Sequence, residues 1–306
     1  MNTRQIHYVL KVAEERSFSV AAKKLFVTQP SLSEFIRKVE QELGYDLFDR
    51  TVSPLRLTVA GEVYVETARQ MLNLESEMDR RLRDMSESQF GRLAIGVSPY
   101  SGLATSVLKR FFDEYPNYKV NIQDSLGTVE RLRLLEQGEL DLCIQPLFEG
   151  ISSKFAVEEI IHDDMVLVLP ADHPANREIP SRTVEGETWP VIEVSALRCL
   201  RDVPFTLVDN SKRLRKQVNA LFDQLEISPY LKVVCHQSEG CVSLANAGIC
   251  ATIVQSGHIK YREMASNVRC YQIRQEGEQR TIAAIYVKNR YLSKAAREFI
   301  NIVKSI

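Results

Sequence analysis

Apolar positions in the first sixty residues recur at helical spacing and predict three consecutive helices. The first covers residues 3–15, and a short second helix, capped by Ser19, runs to Leu25. The third runs from Pro30 to about Leu43. Its predicted inward face follows steps of four, three and four residues: Leu32, Ile36, Val39 and Leu43. A small all-helical unit is therefore expected at the start of the chain.

The break between the second and third helices is short and carries two helix-start signals. Proline is tolerated at a first helical position because its missing N–H would be unpaired there, and Thr28 lies where a hydroxyl caps that turn. Two helices joined by the turn Phe26–Thr28 match a helix-turn-helix motif, in which the second helix reads base edges. The alternative is an ordinary helical hairpin with a solvated polar face. The polar residues that the third helix turns outward are Gln29, Ser31, Ser33, Glu34, Arg37 and Lys38.

The segment Asp46–Thr58 favours the DNA-binding interpretation. Two short β-prone pieces flank Ser53–Pro54, which is a turn signal. The predicted hairpin carries Arg50 and Arg56. A basic hairpin after a recognition helix is typical of a wing that contacts the adjacent DNA backbone or minor groove.

The longest predicted helix starts at Thr58 and runs to about Ser88. Apolar residues follow alternating steps of four and three, with one break at Glu75, and this heptad pattern predicts a coiled-coil contact. The predicted seam is Tyr64, Ala68, Met71, Met78, Leu82 and Met85. About thirty helical residues extend ~45 Å, enough to hold two heads apart. The alternative is a core helix of the larger domain, but the strongly charged outer face favours pairing.

From Arg92 onward the pattern changes to strands alternating with helices. A βαβαβ series that ends at Pro146 predicts a parallel sheet with right-handed crossovers, and a second series from Pro204 repeats the plan. The chain then returns to the first lobe, so we expect two α/β lobes with a cleft between them. The predicted domains are a winged helix-turn-helix (1–58), a linker helix (59–89) and a two-lobed unit (90–306), with lobe I at about 92–162 and 268–306 and lobe II at about 163–267.

Composition narrows the class of protein. The 306 residues carry a formal net charge of −1, with 44% hydrophobic and 26% charged residues, which describes a globular protein that does not coat polyanions with its whole surface. No apolar run approaches the ~20 residues that span a bilayer, and the N-terminus lacks a signal peptide's apolar core. We therefore expect a cytoplasmic protein without membrane contact. The six cysteines lack zinc-finger spacing, so we expect buried free thiols, no metal site and no cofactor.

Candidate ligand chemistry lies at the carboxyl ends of the predicted strands, where open α/β sheets bind ligands. Three strand ends lead into helix starts that bear hydroxyl groups: Ser98–Pro99–Tyr100–Ser101, Gly127–Thr128 and Gln237–Ser238. Each offers backbone N–H groups and the positive end of a helix dipole, which suits a small anion, above all a carboxylate. Gln145 and Pro146 are expected to line the same cleft. The alternative for each hydroxyl is a helix cap alone.

The segment Arg4–Gly61 closely resembles the N-terminal domain of LysR-type transcriptional regulators. The matching stretches are SFSVAAKKLFVTQPSLSEFIRKVEQELGYDLFDR and LRLTVAG, whose elements keep the family's order and spacing. The resemblance implies a linker helix and a two-lobed, periplasmic-binding-protein-like effector domain, and so covers essentially the whole chain. It implies effector contacts at Ser98, Thr128 and the segment around Phe205. It also implies base-proximal roles for Gln29, Pro30, Ser33, Glu34 and Arg37.

Glu34 departs from the family's pattern, since many members carry Arg or Gln at this position. A carboxylate cannot bind phosphate or guanine O6 and N7, but it accepts a hydrogen bond from cytosine N4. The half-site sequence therefore stays open.

Redox sensing is the main alternative mechanism. The segment CLRD at Cys199 is similar to the reactive cysteine segment of the family's peroxide-sensing branch, and Arg198 and Arg201 are expected to favour its thiolate. In that branch, however, the cysteine follows the strand that corresponds to Pro204–Phe205, whereas Cys199 precedes it.

Two other classes of protein are disfavoured. An α/β enzyme fused to a DNA-binding head lacks support because no nucleophile elbow, P-loop, dinucleotide fingerprint or His-Glu-x-x-His occurs. A transport-type solute binder conflicts with the DNA-reading head. We therefore predict a non-enzymatic homo-oligomer, a tetramer built from linker-helix dimers, that binds double-stranded operator DNA and responds to a small effector of unknown identity.

Overall fold

The computed structural model describes residues 2–86, 90–97, 101–260, 267–274 and 280–305. The chain forms two compact units, Met1–Glu87 and Ser88–Ile306. In the part of the chain that the structure describes, no helix is both long enough and apolar enough to cross a membrane.

The first unit is a helical head with a two-stranded hairpin and a long helix. Its elements are α1 (Thr3–Glu15), α2 (Phe18–Lys24), α3 (Gln29–Leu43), β1 (Phe48–Asp49), β2 (Arg56–Leu57) and α4 (Val59–Met85). The predicted helices and hairpin are thus confirmed. Their apolar faces meet in one core, to which α4 contributes only its first turns through Tyr64, Val65 and Ala68.

Two details of the helical head differ from the sequence prediction. Ser17, and not Ser19, caps α2, because its Oγ accepts a hydrogen bond from the N–H of Val20. Leu43 is 40% exposed instead of buried. The inward position at the end of α3 is occupied by Glu40, which no apolar periodicity predicts.

Glu40 is a buried carboxylate that joins the end of α3 to the hairpin. Its Oε1 accepts hydrogen bonds from the N–H groups of Leu47 and Phe48 at 2.9 and 3.2 Å. Its Oε2 lies 2.6 Å from Nη2 of Arg50. The guanidinium of Arg50 also lies 5.1 Å from the ring centroid of Phe18 on α2. Glu40 and Arg50 together therefore fix the hairpin relative to α2 and α3.

The second unit contains two α/β lobes. The strands and helices of its first half are β3 (Phe90–Val97), α5 (Ser101–Glu114), β4 (Asn117–Gln123), α6 (Thr128–Gln137), β5 (Leu142–Pro146), β6 (Phe155–Asp163), β7 (Met165–Pro170) and β8 (Val191–Glu193). Those of its second half are β9 (Pro204–Val208), α7 (Arg213–Gln224), β10 (Tyr230–Cys235), α8 (Ser238–Asn246), β11 (Thr252–Gln255), α9 (Gly257–Lys260), β12 (Val268–Arg274), β13 (Arg280–Val287) and α10 (Lys294–Lys304).

The first lobe is a five-stranded sheet in the order β4-β3-β5-β13-β6. Strand β3 pairs in parallel with β4 and β5, as the βαβαβ series predicts, whereas β13 runs antiparallel to β5 and β6. Phe111 on α5 and Phe299 on α10 belong to a core on one face, and Leu135 on α6 belongs to a core on the other. This sheet brings the carboxyl ends of β3, β4 and β5 to one edge.

The second lobe has the sheet order β11-β7-β12-β8, with the parallel pair β9 and β10 attached through a bridge between Phe205 and Ala251. Strand β12 lies between β7 and β8 in this sheet. The predicted return to the first lobe at residue 268 is therefore wrong. The reason is that β12 pairs with β7, and the chain rejoins the first sheet only with β13.

Asp163 connects the end of β6 with the start of β13 and with α9. It is buried at the end of β6, and its Oδ1 accepts hydrogen bonds from Ser256 Oγ and the N–H of Gly257 at 2.8 and 3.2 Å. Its Oδ2 lies 3.7 Å from Nη1 of Arg280, the first residue of β13. The end of β6, the start of β13 and α9 are thus joined through one carboxylate.

The buried anchor at Glu40 gives a stability prediction. Replacing Glu40 by Ala leaves two backbone N–H groups and Arg50 without their acceptor, and we expect the free energy of unfolding to fall by about 3 kcal/mol. Chemical denaturation of the full chain, followed through the unfolding of the head, measures this change. Glu42→Ala, an exposed change on the same helix, is the control and should alter stability by less than ~0.5 kcal/mol. Equal losses in both variants would contradict the assignment.

Candidate functional site

The N-terminus of α3 presents an open, polar surface. Thr28 is its N-cap, and the Thr28 hydroxyl accepts from the N–H of Ser31 at 3.4 Å. Proline follows in the first turn, and no acidic residue lies there. The unpaired N–H groups and the positive end of the helix dipole are therefore available to an anion such as a DNA phosphate. The predicted DNA-contacting residues Gln29, Pro30, Ser31, Glu34, Arg37 and Lys38 are exposed, and Ser33 is half-buried.

Glu34 forms ion pairs with both cations of this surface. Its carboxylate lies 3.5 Å from Arg37 and 4.0 Å from Lys38, and all three side chains are more than half exposed. Exposed pairs of this kind contribute at most about 1 kcal/mol. Both cations can consequently exchange Glu34 for a phosphate at little cost.

The two arginines of the hairpin have different surroundings. Arg56 on β2 is exposed, opposite Asp49 of β1 in the hairpin. The side chain of Arg50 is 33% exposed and is held by Glu40, with a longer contact of 3.4 Å to Ser33 Oγ. The positive charge of Arg50 is therefore largely compensated by Glu40 within the head.

In the first lobe, Thr128 and Gln145 meet at the carboxyl edge of the sheet. Helix α6 starts at Thr128 with Gly127 as its N-cap, and no side chain caps its N–H groups. A Cβ built on Gly127 meets nothing within 4 Å, so this helix start faces open space. Gln145, on β5, is 0% exposed, and the following Pro146 is half-buried. Both predicted positions thus lie where the strand series places them.

Arg131 joins these two residues, and sequence reasoning did not single it out. It is 1% exposed, and its Nε donates to Gln145 Oε1 at 2.9 Å. Its Nη2 lies 3.3 Å from Thr128 Oγ1, and its Nη1 donates to the carbonyl of Leu126. The available signal was the helix period, because position 131 shares the inward face of α6 with Leu135.

Within the described ranges, the surroundings of Arg131 contain neutral groups and no paired anion. Burial lowers its pKa, which is the direction expected for a cation removed from water. The nearby thiol of Cys143 is no counter-charge, since burial raises its pKa to about 12 and leaves it neutral at pH 7. Among the described residues no carboxylate forms an ion pair with Arg131.

In the second lobe, Ser238 is the first residue of α8 and is buried, and its N-cap Gln237 provides no side-chain hydrogen bond. Phe205 is fully buried and packs edge-on against Phe222, with ring centroids 5.3 Å apart. Its ring therefore packs in the core of the second lobe, and the expected effector contact at Phe205 stays a prediction. The predicted positions Ser98, Pro99 and Tyr100, with the side chain of Ser101, lie outside the residues that the structure describes.

The thiols do not support a reactive centre at Cys199. All six cysteines are free. Burial raises the pKa of Cys199, and its Sγ donates to the carbonyl of Ala196 at 3.0 Å. The expectation that Arg198 and Arg201 favour a thiolate is therefore wrong, because desolvation is the larger effect. In the described ranges no group of three or more His, Cys, Asp or Glu side chains forms a metal cluster.

Comparison with known proteins agrees with both units. Residues 3–62 match the model described as "Bacterial regulatory helix-turn-helix protein, lysR family", and residues 86–305 match "LysR substrate binding domain". The chain belongs to the LysR family of transcriptional regulators. It is consequently a DNA-binding regulator with an N-terminal helix-turn-helix and a two-lobed substrate-binding domain, as the resemblance implies.

Individual LysR-type relatives extend over the whole chain. The transcriptional regulator BsdA of Bacillus subtilis is 28% identical over 305 residues, which are 99% of this chain and 100% of BsdA. A variant of full-length OxyR from Pseudomonas aeruginosa has the same fold with a TM-score of 0.67 and 20% identity, covering 99% of this chain and 95% of OxyR. Full-length CbnR in complex with its target DNA has a TM-score of 0.59 and 22% identity, covering 100% and 99% of the two chains.

The turn of this LysR-type helix-turn-helix contains a strained aromatic residue. Phe26 adopts a left-handed backbone conformation with φ of 56°, and its side chain is 95% exposed. For a bulky L-residue this conformation costs about 1–2 kcal/mol. The exposed ring recovers little of that energy within the head.

Relief of this strain is measurable. We expect Phe26→Asn to raise the free energy of unfolding by about 1 kcal/mol, because Asn tolerates the left-handed conformation. The midpoint of chemical denaturation reports the change at constant slope. Tyr45→Asn is the control, since Tyr45 is also exposed but is not among the residues with positive φ. Stabilisation by both changes, or by neither, would argue against strain at Phe26.

Proposed function

We propose that this LysR-type regulator binds a two-fold symmetric operator and that a small carboxylate in the cleft of the second unit changes its action on DNA. The observation that carries the proposal is the pair of open helix starts. One, at α3, carries exposed polar and basic side chains, and the other, at α6, lies beside buried polar groups at a sheet edge. Each is suited to an anionic partner.

The proposed DNA contacts are those of the α3 surface and the wing. Gln29, Ser31 and Ser33 carry groups that both donate and accept hydrogen bonds, which base edges require. Arg37, Lys38 and Arg56 supply charge for phosphates or guanine. Glu34 is assigned to a cytosine N4 or to orientation of the two neighbouring cations. Pro30 sets the start of the helix, and Arg50 supports the wing through Glu40.

The second half of α4 supports a homodimer. Tyr64 and Ala68 pack inside the head, so the predicted seam begins later than the heptad pattern indicates. The apolar residues that follow remain exposed in a stripe: Met71, Leu74, Met78, Leu82 and Met85. An exposed stripe at heptad spacing is typical of a coiled-coil contact. Two such dimers in a homotetramer would present four heads to DNA.

The effector is assigned to the carboxyl edges of the two lobes. Gly127 and Thr128 offer an uncapped helix start, Gln145 and Pro146 form the adjacent wall, and Ser238 begins the corresponding helix of the second lobe. A ligand that prefers one arrangement of lobes shifts the protein toward it, with coupling typically worth ~1–3 kcal/mol. The proposal requires no catalytic step, cofactor or metal, and it places the protein with its DNA in the cytoplasm.

Separate residues are expected to serve DNA and effector. Arg37→Ala should weaken binding to an operator fragment, selected from random DNA by the wild-type protein, by about tenfold. Thr128→Ala should leave that affinity unchanged and reduce the change in footprint caused by an acid found in a thermal-shift screen. Footprint titrations with and without the acid measure both effects. An equal loss of DNA binding in the two variants would contradict this division.

A charged residue introduced into the exposed apolar stripe of α4 tests whether this stripe forms the dimer contact. Leu82→Glu places two carboxylates in a paired seam, and we expect the dimer to dissociate at least tenfold more readily in sedimentation equilibrium. Gln70→Glu, which adds the same charge on an exposed position of α4 outside the stripe, is the matched control and should leave the assembly unchanged. Unaltered assembly in Leu82→Glu would exclude this stripe as the contact.

A further inference from the structure

Arg131 is a buried cation without a counter-charge in the part of the chain that the structure describes. Removing a charge from water is unfavourable unless an opposite charge or a full set of hydrogen bonds compensates it. Among the described residues, the hydrogen-bond partners of Arg131 are three neutral oxygen atoms, those of Gln145, Leu126 and Thr128. Cys143, the acidic group near it, is neutral because burial raises its pKa to about 12. The described residues therefore leave this charge uncompensated.

The guanidinium of Arg131 and the side-chain amide of Gln145 both have N–H donors without an acceptor among the described residues. A guanidinium has five N–H donors, and three contacts leave some of them for another acceptor. Gln145 is 0% exposed, and its Nε2 has no hydrogen-bond partner among the described residues, although its Oε1 is bound to Arg131. A buried amide N–H without a partner destabilises the folded chain. An uncapped helix start at Thr128, with open space above Gly127, adjoins both groups.

We propose that Arg131 and the Nε2 of Gln145 form the anion-binding end of the effector site and receive one carboxylate group. The inference rests on the proposed function, because it names the residues that select the charge of the effector. A carboxylate supplies the missing negative charge and acceptors for spare N–H groups of Arg131 and for Gln145. The class of ligand is thus a small carboxylic acid in its ionised form, and the corresponding neutral amide is rejected.

A purely structural role for Arg131 explains less. Its contact with the Leu126 carbonyl ties the loop before α6 to the sheet, but a neutral donor would do so without burying a charge. It also leaves Gln145 Nε2 unexplained. The two interpretations differ in one measurable respect, because only an anion site makes protein stability depend on carboxylate.

Thermal unfolding of the full chain tests the inference. Sodium acetate, propionate and benzoate are compared with sodium chloride at equal ionic strength, and acetamide and benzamide serve as neutral analogues. We expect at least one acid to raise the melting temperature of the wild type by mass action and the amides to have no such effect. Arg131→Met should weaken the apparent affinity at least tenfold. Arg133→Met, on the exposed face of α6 where Arg133 pairs with Glu130, is the matched control and should retain the response.

Gln145→Glu keeps the test decisive if Arg131→Met fails to fold. This change places a carboxylate beside Arg131, so we expect a higher melting temperature in chloride and loss of the response to added acid. A lower melting temperature with a retained response would overturn the inference.

The remaining outcomes separate the two proposals. Equal stabilisation of wild type and Arg131→Met by an acid overturns the role of Arg131 and leaves the effector proposal standing. Absence of any carboxylate-specific stabilisation in the wild type also overturns the inference. A response that depends on Arg131 but leaves the operator footprint unchanged supports the anion site and contradicts the regulatory proposal.

Discussion

The substrate-binding unit depends on the buried carboxylate of Asp163. The two sheets of this unit have different topologies, and Asp163 lies at the end of β6, where the chain leaves the first sheet. It accepts hydrogen bonds from Ser256 and Gly257 and lies near Arg280 at the start of β13. Charge-assisted bonds to a buried carboxylate are strong and directional. The end of β6, the start of β13 and α9 are therefore fixed relative to one another at this carboxylate.

In the head, too, a buried carboxylate connects separate elements. Glu40 binds two backbone N–H groups and Arg50, and so determines where the hairpin begins after α3. In both units a buried acid fixes a connection between elements, whereas apolar packing fixes the elements themselves. Arg131 differs from both acids, because the described residues provide it with hydrogen bonds but not with an opposite charge.

Much of the architecture follows from local sequence signals. Thr28 and Pro30 mark the start of α3, and the change from helical to alternating patterning at Arg92 marks the α/β unit. The missed features depend on contacts between residues far apart in the chain. Periodicity placed Leu43 inside because it cannot recognise that Glu40 satisfies N–H groups of a later strand. The sequence pattern assigned β12 to the first lobe because pairing with β7 has no local signature. The same limit hid Arg131, whose neighbour Gln145 lies on another strand.

Helix α4 belongs to two packing systems along its length. Its first turns are part of the head's core through Tyr64, Val65 and Ala68, and its later turns carry the exposed apolar stripe. A continuous helix is stiff in torsion, so its two ends cannot rotate independently about the helix axis. In the proposed homodimer, a turn of the paired portion would therefore be transmitted to the head as a rotation of α3. The angle between the recognition helix and the DNA groove would then depend on the geometry of the seam.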